Sequence, residues 1–495
     1  MLDGERYLAF DLGAESGRAM LGTLASGRLH LEEIHRFPND PVQVGHSLYW
    51  DPLHLWAEVK GGLVCAAARA GRNLAGVGVD TWGIDFGLLD RCGDLIGLPH
   101  HYRDSRTEGI LEDLNRYISP SDLYSQVGSS SLAISTLCQL LAMRRQGSPI
   151  LDIAGRLLMM PDIFHYWLCG RQATEATIAG TTQLYNLATG DWHRELLDRL
   201  DLPSNLPGEV VPTATLLGLL LPPLAEEVGL DAVPVIAPAC HDTPCAISIT
   251  PSSEARFTAI SSGTWSVIGA ELEQPLLTRD AMDRRFLNEV GARGKTLLAM
   301  NSMGLWPLQE CRRQWLREGH DWSYGDLTEM AAGAPPFCAV VDPDSGDFLR
   351  PGDMTAKVAE YCRRAGQNAP ADAACTTRVL LEGLALRYRK AIADLDELTG
   401  RSTPLIHILG GGSRNRLLCQ FAADATGRPV LAGPSEATAT GNTLLQALGR
   451  GSLGSMAEVR EVVSRSFPLT LYEPHPSAAW DDAFGAFLGL SPAGD

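Results

Sequence analysis

The sequence lacks any uninterrupted apolar run of about 20 residues, the length that a membrane-spanning helix requires, so it predicts no membrane partner. It also lacks an excess of positive charge: 59 acidic residues against 41 Lys and Arg give a net charge of −18. Such a surface repels a phosphate backbone, which argues against nucleic acid as a general partner. The first residues lack the basic and then apolar pattern of a secretory signal. We therefore expect a cytoplasmic protein.

The sequence also lacks a Cys-x-x-Cys pair, which is typical of metal sites, and a complete P-loop, which would bind phosphate. The 11 cysteines include no Cys-x-x-Cys pair, which favours reduced thiols over a disulfide framework. Cys240 and Cys245 flank His241, but no second ligand cluster accompanies them, so we expect no structural zinc site. Residues 291–296 resemble a P-loop, yet Glu289 stands where that motif needs a glycine. The runs on either side are strand-like, and we predict a hairpin turn there instead.

What the sequence has is length and a polar stretch at its centre. A chain of 495 residues is too long for one ordinary core, and we expect two domains, residues 1–246 and 247–495. Near their boundary an apolar, strand-like run ends in His241-Asp242-Thr243. Ligands bind at this end of strands in open α/β sheets, and Asp242 is placed to take a proton from a hydroxyl. The alternative is that Asp242 only caps the following helix, with Pro244 in its first turn.

Glycine-rich turns open both halves of the chain. Strand-like runs at residues 7–12 and 18–24 enclose a small polar turn, whose backbone N–H groups could hold a phosphate. Arg18 is a nearby cation, and Asp11 could hold a metal through water. The same strand, turn, strand pattern recurs around Ser261-Ser262-Gly263-Thr264, which suggests a duplicated fold whose turns grip one ligand from both sides. The alternative for each is an ordinary hairpin.

Further polar positions follow other predicted elements. Asp80 and Asp85, with Trp82 and Gly83, end a strand in a way that suits a polyol, because carboxylates accept from hydroxyls and an indole covers a carbon face. The alternative is a strand pair with a tight turn. Residues 151–168 are predicted to be helical with a break at residues 161–162. Residues 301–310 are predicted to start a helix that carries both Asn301 and Gln309. Residues 410–412, three glycines after a strand, leave room for a ring or a phosphate.

Taken in order along essentially the whole chain, these motifs resemble the FGGY carbohydrate kinases of the actin-like ATPase superfamily. The resemblance rests on residues 11–18, 262–265 and 409–413 together with the Asp at mid-chain. It implies an α/β fold of two ribonuclease H-like domains with a cleft between them. Within the family, the rhamnulokinase branch is similar at residues 80–86, 102–107, 158–162, 262–266 and 301–306.

The resemblance implies transfer of the γ-phosphoryl group of ATP to the 1-hydroxyl of L-rhamnulose, with Mg²⁺. Asp242 matches the general base. The positions that match substrate contacts are Gly83, His241, Asp242, Thr243 and Asn301. The positions that match nucleotide contacts are Ala14, Glu15, Ser16, Gly17, Arg18, Thr264, Gln309 and Gly411. The implied partners are thus a small sugar and ATP, for a monomer or a homodimer.

Two alternatives and one departure accompany this resemblance. The substrate could be another ketose or polyol, such as L-fuculose, L-ribulose or D-xylulose, or the chain could be a non-catalytic sensor on the same scaffold. Glu15 stands where the family more often has Ser or Thr. We expect its carboxylate to point to solvent, since the backbone would do the binding; the alternative is that it helps to hold Mg²⁺.

Overall fold

The chain folds into two compact units, each assembled from separate stretches of sequence. The computed structural model describes residues 4–252, 257–475 and 477–490. The first unit contains Met1–Ser253, Glu271–Leu298 and Thr438–Ser466, and the second contains Glu254–Ala270, Ala299–Ala437 and Phe467–Asp495. Among the described helices, none combines the length and the apolar character that crossing a bilayer would need. The eleven cysteines are all free thiols.

The strands range from 2 to 11 residues in length, and several follow one another without a helix between them. In chain order they are β1 (Glu5–Leu12), β2 (Ser16–Ala25), β3 (Arg28–Pro38), β4 (Val42–Val44), β5 (Ser47–Tyr49), β6 (Gly76–Thr81), β7 (Phe86–Leu89), β8 (Arg156–Met159), β9 (Ala173–Glu175), β10 (Tyr185–Asn186), β11 (Asp191–Trp192), β12 (Glu209–Val211), β13 (Thr215–Leu219), β14 (Pro234–Ala237), β15 (Thr258–Ser262), β16 (Trp265–Leu272), β17 (Leu287–Val290), β18 (Thr296–Met303), β19 (Ile406–Leu409), β20 (Val430–Ala432) and β21 (Thr470–Tyr472).

The helices connect these strands and cover the sheets. They are α1 (Pro52–Ala70), α2 (Ile110–Leu114), α3 (Pro120–Val127), α4 (Thr136–Arg145), α5 (Ile150–Ile153), α6 (Met160–Cys169), α7 (Ala176–Gly180), α8 (Arg194–Arg199), α9 (Pro222–Val228), α10 (Asp242–Ser248), α11 (Arg279–Asp283), α12 (Trp306–Arg317), α13 (Tyr324–Gly333), α14 (Met354–Arg364), α15 (Ala373–Thr399), α16 (Arg416–Thr426), α17 (Ala437–Arg450), α18 (Met456–Ser466) and α19 (Ala478–Leu488). Single 3-10 turns occupy Ser105–Thr107, Ala292–Gly294, Gly346–Phe348 and Gly411–Arg414.

A six-stranded mixed sheet forms the centre of the first unit, in the order β13-β14-β6-β1-β2-β3. Strands β1 and β2 form the predicted hairpin, with Asp11 opposite Arg18. Strand β1 also pairs in parallel with β6, which places Asp11 beside Asp80. The inner residues of β1 are buried, as expected for a strand covered on both faces. Helix α1 starts at Pro52, where Asp51 caps it by accepting from the His54 N–H.

A second mixed sheet repeats this arrangement in the order β17-β18-β16-β15-β19-β20-β21. Here too a hairpin, β15 and β16, leads the sheet, and its first strand pairs in parallel with a strand that comes much later, β19. In the first sheet β1 has the same two kinds of neighbour, β2 and β6. The duplicated fold and the α/β class predicted from the sequence are therefore confirmed.

Two predictions of secondary structure, at residues 151–168 and at Asn301, were wrong, whereas the turn predicted at residues 291–296 is confirmed. The run predicted as helix at 151–168 contains α5, then β8, then α6, because residues 156–159 pair with β7. Asn301 lies in strand β18, and the helix that carries Gln309 begins only at Trp306, with Pro307 in its first turn. The P-loop-like segment is a turn, closed by a bond from the Gly291 N–H to the Lys295 carbonyl.

Candidate active site

Asp242 lies where strand β14 gives way to helix α10. The Thr81 N–H donates to the Cys240 carbonyl at 2.9 Å, so the ends of β6 and β14 lie side by side. His241 occupies the N-cap position of α10 and makes no capping bond with its side chain, and Asp242 is the first helical residue. Its Oδ1 atom accepts from the Thr243 hydroxyl at 3.1 Å. The geometry thus gives no support to a purely capping role for Asp242.

A buried glutamate fixes the backbone just before this aspartate. Glu175 is fully buried, and its Oε2 accepts from the Cys240 N–H at 3.1 Å and from the Thr177 hydroxyl. The His241 N–H donates in turn to the Thr177 hydroxyl at 3.1 Å. Burial raises the pKa of Glu175, and these hydrogen bonds oppose the rise. Sequence reasoning missed Glu175, because its partner Cys240 lies 65 positions later in the chain.

Three carboxylates, those of Asp11, Asp80 and Asp242, interact near the N-terminal turn. Asp11 Oδ2 accepts from Arg18 Nη2 at 2.8 Å. Asp80 is fully buried; its Oδ2 accepts from Asn442 Nδ2 at 2.6 Å, while its Oδ1 has no hydrogen-bond partner among the described residues. Burial, and then Asp11, raises the pKa of Asp80 well above its usual range. Burial and Asp11 also raise the pKa of Asp242. Asp11 is therefore the carboxylate whose charge acts on both of the others, and it is the one that the sequence predicts to hold a metal.

The predicted polyol site after β6 is only partly available. Asp85 is fully buried and accepts from the indole N–H groups of Trp50 at 2.6 Å and Trp82 at 3.0 Å, and from Gln139. Protein donors therefore occupy Asp85, contrary to the expectation that it accepts from a sugar hydroxyl. Gly83 is tightly enclosed, since a Cβ there would lie 2.9 Å from Thr181 Cγ2. The backbone at Gly83 remains the part that a ligand could approach.

The N-terminal turn holds the positions that match nucleotide contacts in this unit: Ala14, Glu15, Ser16, Gly17 and Arg18. Gly13 donates its N–H to the Ser16 carbonyl, and Asn39 Nδ2 donates to the Gly13 carbonyl at 2.8 Å. A side chain at Gly17 would lie 2.2 Å from the Phe37 ring. Glu15 is exposed, in agreement with the expected outward orientation. Hydrogen bonds to the backbone of Gly13 therefore help to fix the conformation of the turn.

The second unit brings its own predicted nucleotide positions together. The Thr264 carbonyl accepts from the N–H groups of Gly304 at 3.0 Å and Trp306 at 3.2 Å, so the hairpin tip is bonded to the start of the helix that carries Gln309. Gln309 Oε1 is buried and lacks a hydrogen-bond partner within the described residues. An acceptor in that state is available to a ligand. Asn301, on the neighbouring strand, is exposed.

The triple-glycine segment is packed against the same hairpin. A Cβ at Gly412 would lie 2.1 Å from Ser262 Oγ, whereas a Cβ at Gly411 meets nothing within 4 Å. Ser262 Oγ is in turn bonded to the Tyr388 hydroxyl at 3.1 Å, which also bonds to Ser266. Gly412 is therefore needed for packing, and Gly411 presents open backbone.

One buried group in the described part of the chain, Asp162, His165 and Cys240, has the residue types of a metal site. However, His165 Nε2 accepts from the Val79 N–H at 3.0 Å. The neutral ring therefore carries its proton on Nδ1 and has no lone pair left for a metal. Burial lowers the pKa of His165 to about 3, which keeps the ring neutral.

Comparison with known proteins identifies the family of both halves. Residues 6–247 match the model of the FGGY family of carbohydrate kinases, N-terminal domain, and residues 258–449 match that of its C-terminal domain. A curated protein named rhamnulokinase, from Bacteroides thetaiotaomicron, is 41% identical over 97% of this chain and 98% of its own length. Another, from Oceanobacillus iheyensis, is 36% identical over 94% and 97%.

The fold is shared with solved sugar kinases. A ligand-bound xylulose kinase from Lactobacillus acidophilus superimposes with a TM-score of 0.81 over 99% of each chain, at 15% identity. Glycerol kinase from Plasmodium falciparum, solved with ADP, gives a TM-score of 0.77 over 98% of this chain and 97% of its own, at 13% identity. The predicted fold class, two domains of the actin-like ATPase type, is thereby confirmed.

Proposed function

The chain belongs to the FGGY family of carbohydrate kinases, and on that premise we propose that it transfers the γ-phosphoryl group of ATP to the 1-hydroxyl of L-rhamnulose. As a carbohydrate kinase it takes a sugar and ATP as its substrates. The curated relatives, which are named rhamnulokinase and match nearly the full length, support this choice of sugar over L-fuculose, L-ribulose or D-xylulose. Likeness to the solved xylulose kinase supports only the fold, because the identity is low.

Asp242 is the general base in this proposal. In the reaction a bond forms between the sugar oxygen and the γ-phosphorus, the bond from that phosphorus to the β,γ-bridging oxygen breaks, and ADP leaves. Asp242 takes the proton that the sugar hydroxyl loses. The observation that carries the proposal is the position of Asp242 between β14 and α10. The backbone just before it is held by the hydrogen bond from the Cys240 N–H to Glu175. A kinase needs a general base, whereas a non-catalytic sensor does not, so the position of Asp242 favours the kinase.

The remaining predicted contacts fall into the same scheme. We propose that residues 1–246 hold the sugar and the base, with contacts from Gly83, His241 and Thr243, and that residues 247–495 hold the nucleotide. Thr264, Gln309 and Gly411 would contact the nucleotide, and the unpaired Oε1 of Gln309 supports this. We further propose that the N-terminal turn, residues 14–18, binds phosphate through its backbone, and that Asn301 contacts the sugar.

We propose that Asp11 is the residue of the first unit that holds Mg²⁺. Its carboxylate raises the pKa of both Asp80 and Asp242, and a divalent cation at Asp11 would offset that negative charge. Asp11 Oδ2 is bonded to Arg18, so we propose that Asp11 holds the ion through water with its other oxygen. Bound there, Mg²⁺ would neutralise charge on the transferred phosphoryl group. A monomer or homodimer in the cytoplasm remains our expectation, and the free thiols fit a reducing compartment.

The experiment is a coupled ADP-release assay over L-rhamnulose, L-fuculose, L-ribulose, D-xylulose and glycerol, with and without Mg²⁺. We expect kcat/KM for L-rhamnulose to exceed that for each other sugar by at least about tenfold, the scale at which a pocket discriminates stereoisomers. A higher kcat/KM for another ketose would reassign the substrate. No turnover with any sugar would overturn the proposal of a kinase.

A further inference from the structure

His241 lies between two carboxylates, of which only one belongs to the predicted site. Its Nε2 atom is 3.4 Å from Asp242 Oδ1, and its Nδ1 atom is 3.5 Å from Glu289 Oε2. The side chains of His241 and Glu289 are only 12% and 15% exposed. Both facing atoms, Nδ1 and Oε2, are buried, and within the described residues neither is assigned a hydrogen-bond partner. A buried polar atom without a partner is costly, and a hydrogen bond between these two atoms would satisfy both.

The fold holds Glu289 at this place from two sides. It lies in β17, whose Asn288 N–H donates to the Gly128 carbonyl at 2.7 Å. The next residue, Val290, packs against Gly180 so closely that a Cβ there would lie 2.8 Å from Val290 Cγ2. Gly180 ends α7, the helix that begins directly after the glutamate that braces Cys240. Strand β17 and the backbone of His241 are thus anchored to the same helix.

We propose that Glu289 is a positioning residue: its carboxylate accepts a hydrogen bond from the Nδ1–H of His241 and orients the ring so that Nε2 faces Asp242. The inference rests on the proposed role of Asp242 as the base. A histidine has two ring nitrogens, and the partner of one determines the state and direction of the other. With Glu289 in place, the ring can hold a proton on both nitrogens and supply a positive charge beside the base.

The electrostatics support this assignment. Burial lowers the pKa of His241, but the carboxylates of Glu289 and Asp242, with Glu175 as a third acid, outweigh burial and raise it. The positively charged ring in turn lowers the pKa of Asp242, against burial and Asp11, which raise it. Removing the charge of Glu289 should therefore lower the pKa of His241. With less positive charge on the ring, the pKa of Asp242 should rise.

The test replaces Glu289 by Gln, which keeps the shape and the acceptor but not the charge. For Glu289→Gln we expect the acidic limb of the kcat profile to move to higher pH. On that limb kcat should fall by up to roughly tenfold, while the sugar KM stays within about threefold of the wild type. Glu289→Asp, which keeps the charge, should recover part of the loss. Glu273→Gln, at a 78% exposed side chain paired with Lys295, is the matched control.

A second readout needs no turnover. In histidine-labelled full-length protein, the NMR titration of the ring assigned to His241 by its loss in His241→Asn should shift to lower pH in Glu289→Gln and stay unchanged in Glu273→Gln. If neither this titration nor the acidic limb moves, the proposal is wrong, even if kcat falls. If Glu289→Asp behaves like Glu289→Gln, charge is not the cause and the proposal is also wrong. A wild type that phosphorylates no sugar would overturn the proposed function, while the titration still decides the Glu289–His241 pair.

Discussion

Replacing Asp242 by Asn should separate activity from stability. The amide has nearly the shape of the carboxylate, and its oxygen can still accept from the Thr243 hydroxyl, as Asp242 Oδ1 does at 3.1 Å. The pocket should therefore keep its form, and the sugar KM should stay within about threefold of the wild type. A positioned base contributes roughly 10²–10⁴-fold to the rate, so kcat should fall by about 10² or more.

The stability of the same variant should move in the opposite direction. Desolvation and the nearby Asp11 carboxylate raise the pKa of Asp242 above its unfolded value, although 37% of the side chain is exposed, so the folded chain bears a small cost when this group is ionised. The stabilising contribution is fully present below the unfolded pKa and is lost as pH rises through the folded pKa. At neutral pH a neutral Asn removes that cost, and the thermal midpoint should equal or exceed that of the wild type.

The assay pairs initial rates of ADP release with thermal unfolding at pH 7. Asp231→Asn is a suitable control, because Asp231 precedes β14, is 55% exposed and pairs with Arg72 at the surface. We expect that control to change neither kcat nor the midpoint. An Asp242→Asn enzyme with unchanged kcat would remove Asp242 from the mechanism. A large fall in its thermal midpoint would show that the carboxylate supports the fold, and would refute the reasoning from retained geometry.

Two further predictions concern packing and pH. Gly412→Ala should lower the free energy of unfolding by an overpacking cost of about 1–3 kcal/mol, and the thermal midpoint with it, because its Cβ would lie 2.1 Å from Ser262 Oγ. Gly411→Ala should leave the midpoint unchanged and raise the KM for ATP, because a Cβ there meets nothing within 4 Å. Equal midpoints for the two variants would contradict this. Burial raises the pKa of Asp85 from 3.8 to about 6, so its stabilising contribution, about 3 kcal/mol, is present below about pH 4 and lost as pH rises through about 6. Thermal midpoints from pH 4 to 7.5 should show a flatter profile for Asp85→Asn than for the wild type, and parallel profiles would refute the assignment.

The hairpins and the start of α1 can be predicted because their causes are local. Strand β1, the turn and strand β2 together occupy 21 residues, and alternation with a glycine turn is sufficient to define them. The start of α1 needs only Asp51 and the proline after it. The placement of Asp242 is local as well, since a strand that ends in polar residues before a helix is visible in the sequence.

Elements whose state depends on a distant partner were predicted less well. Residues 156–159 are as apolar as a buried helix, and only pairing with β7, some seventy residues earlier, makes them a strand. Asn301 was predicted to start a helix, because nothing near it in the sequence shows that residues 296–303 pair with other strands of the second sheet. Asp85 looked free to bind a sugar, because nothing near it in the sequence reveals that Trp50 and Gln139 donate to it.

The sequence by itself determined the duplicated α/β plan, the family, and the polar groups that follow its strands, because each is expressed in short motifs and in their order. Only the tertiary structure decided which charges meet. Glu289 was noticed in the sequence solely as the residue that spoils a P-loop, and folding brings it to His241, 48 positions earlier in the chain. Periodicity and turn residues report what a segment does with its neighbours in sequence, whereas the pairing of buried charges depends on contacts that close only when distant segments pack.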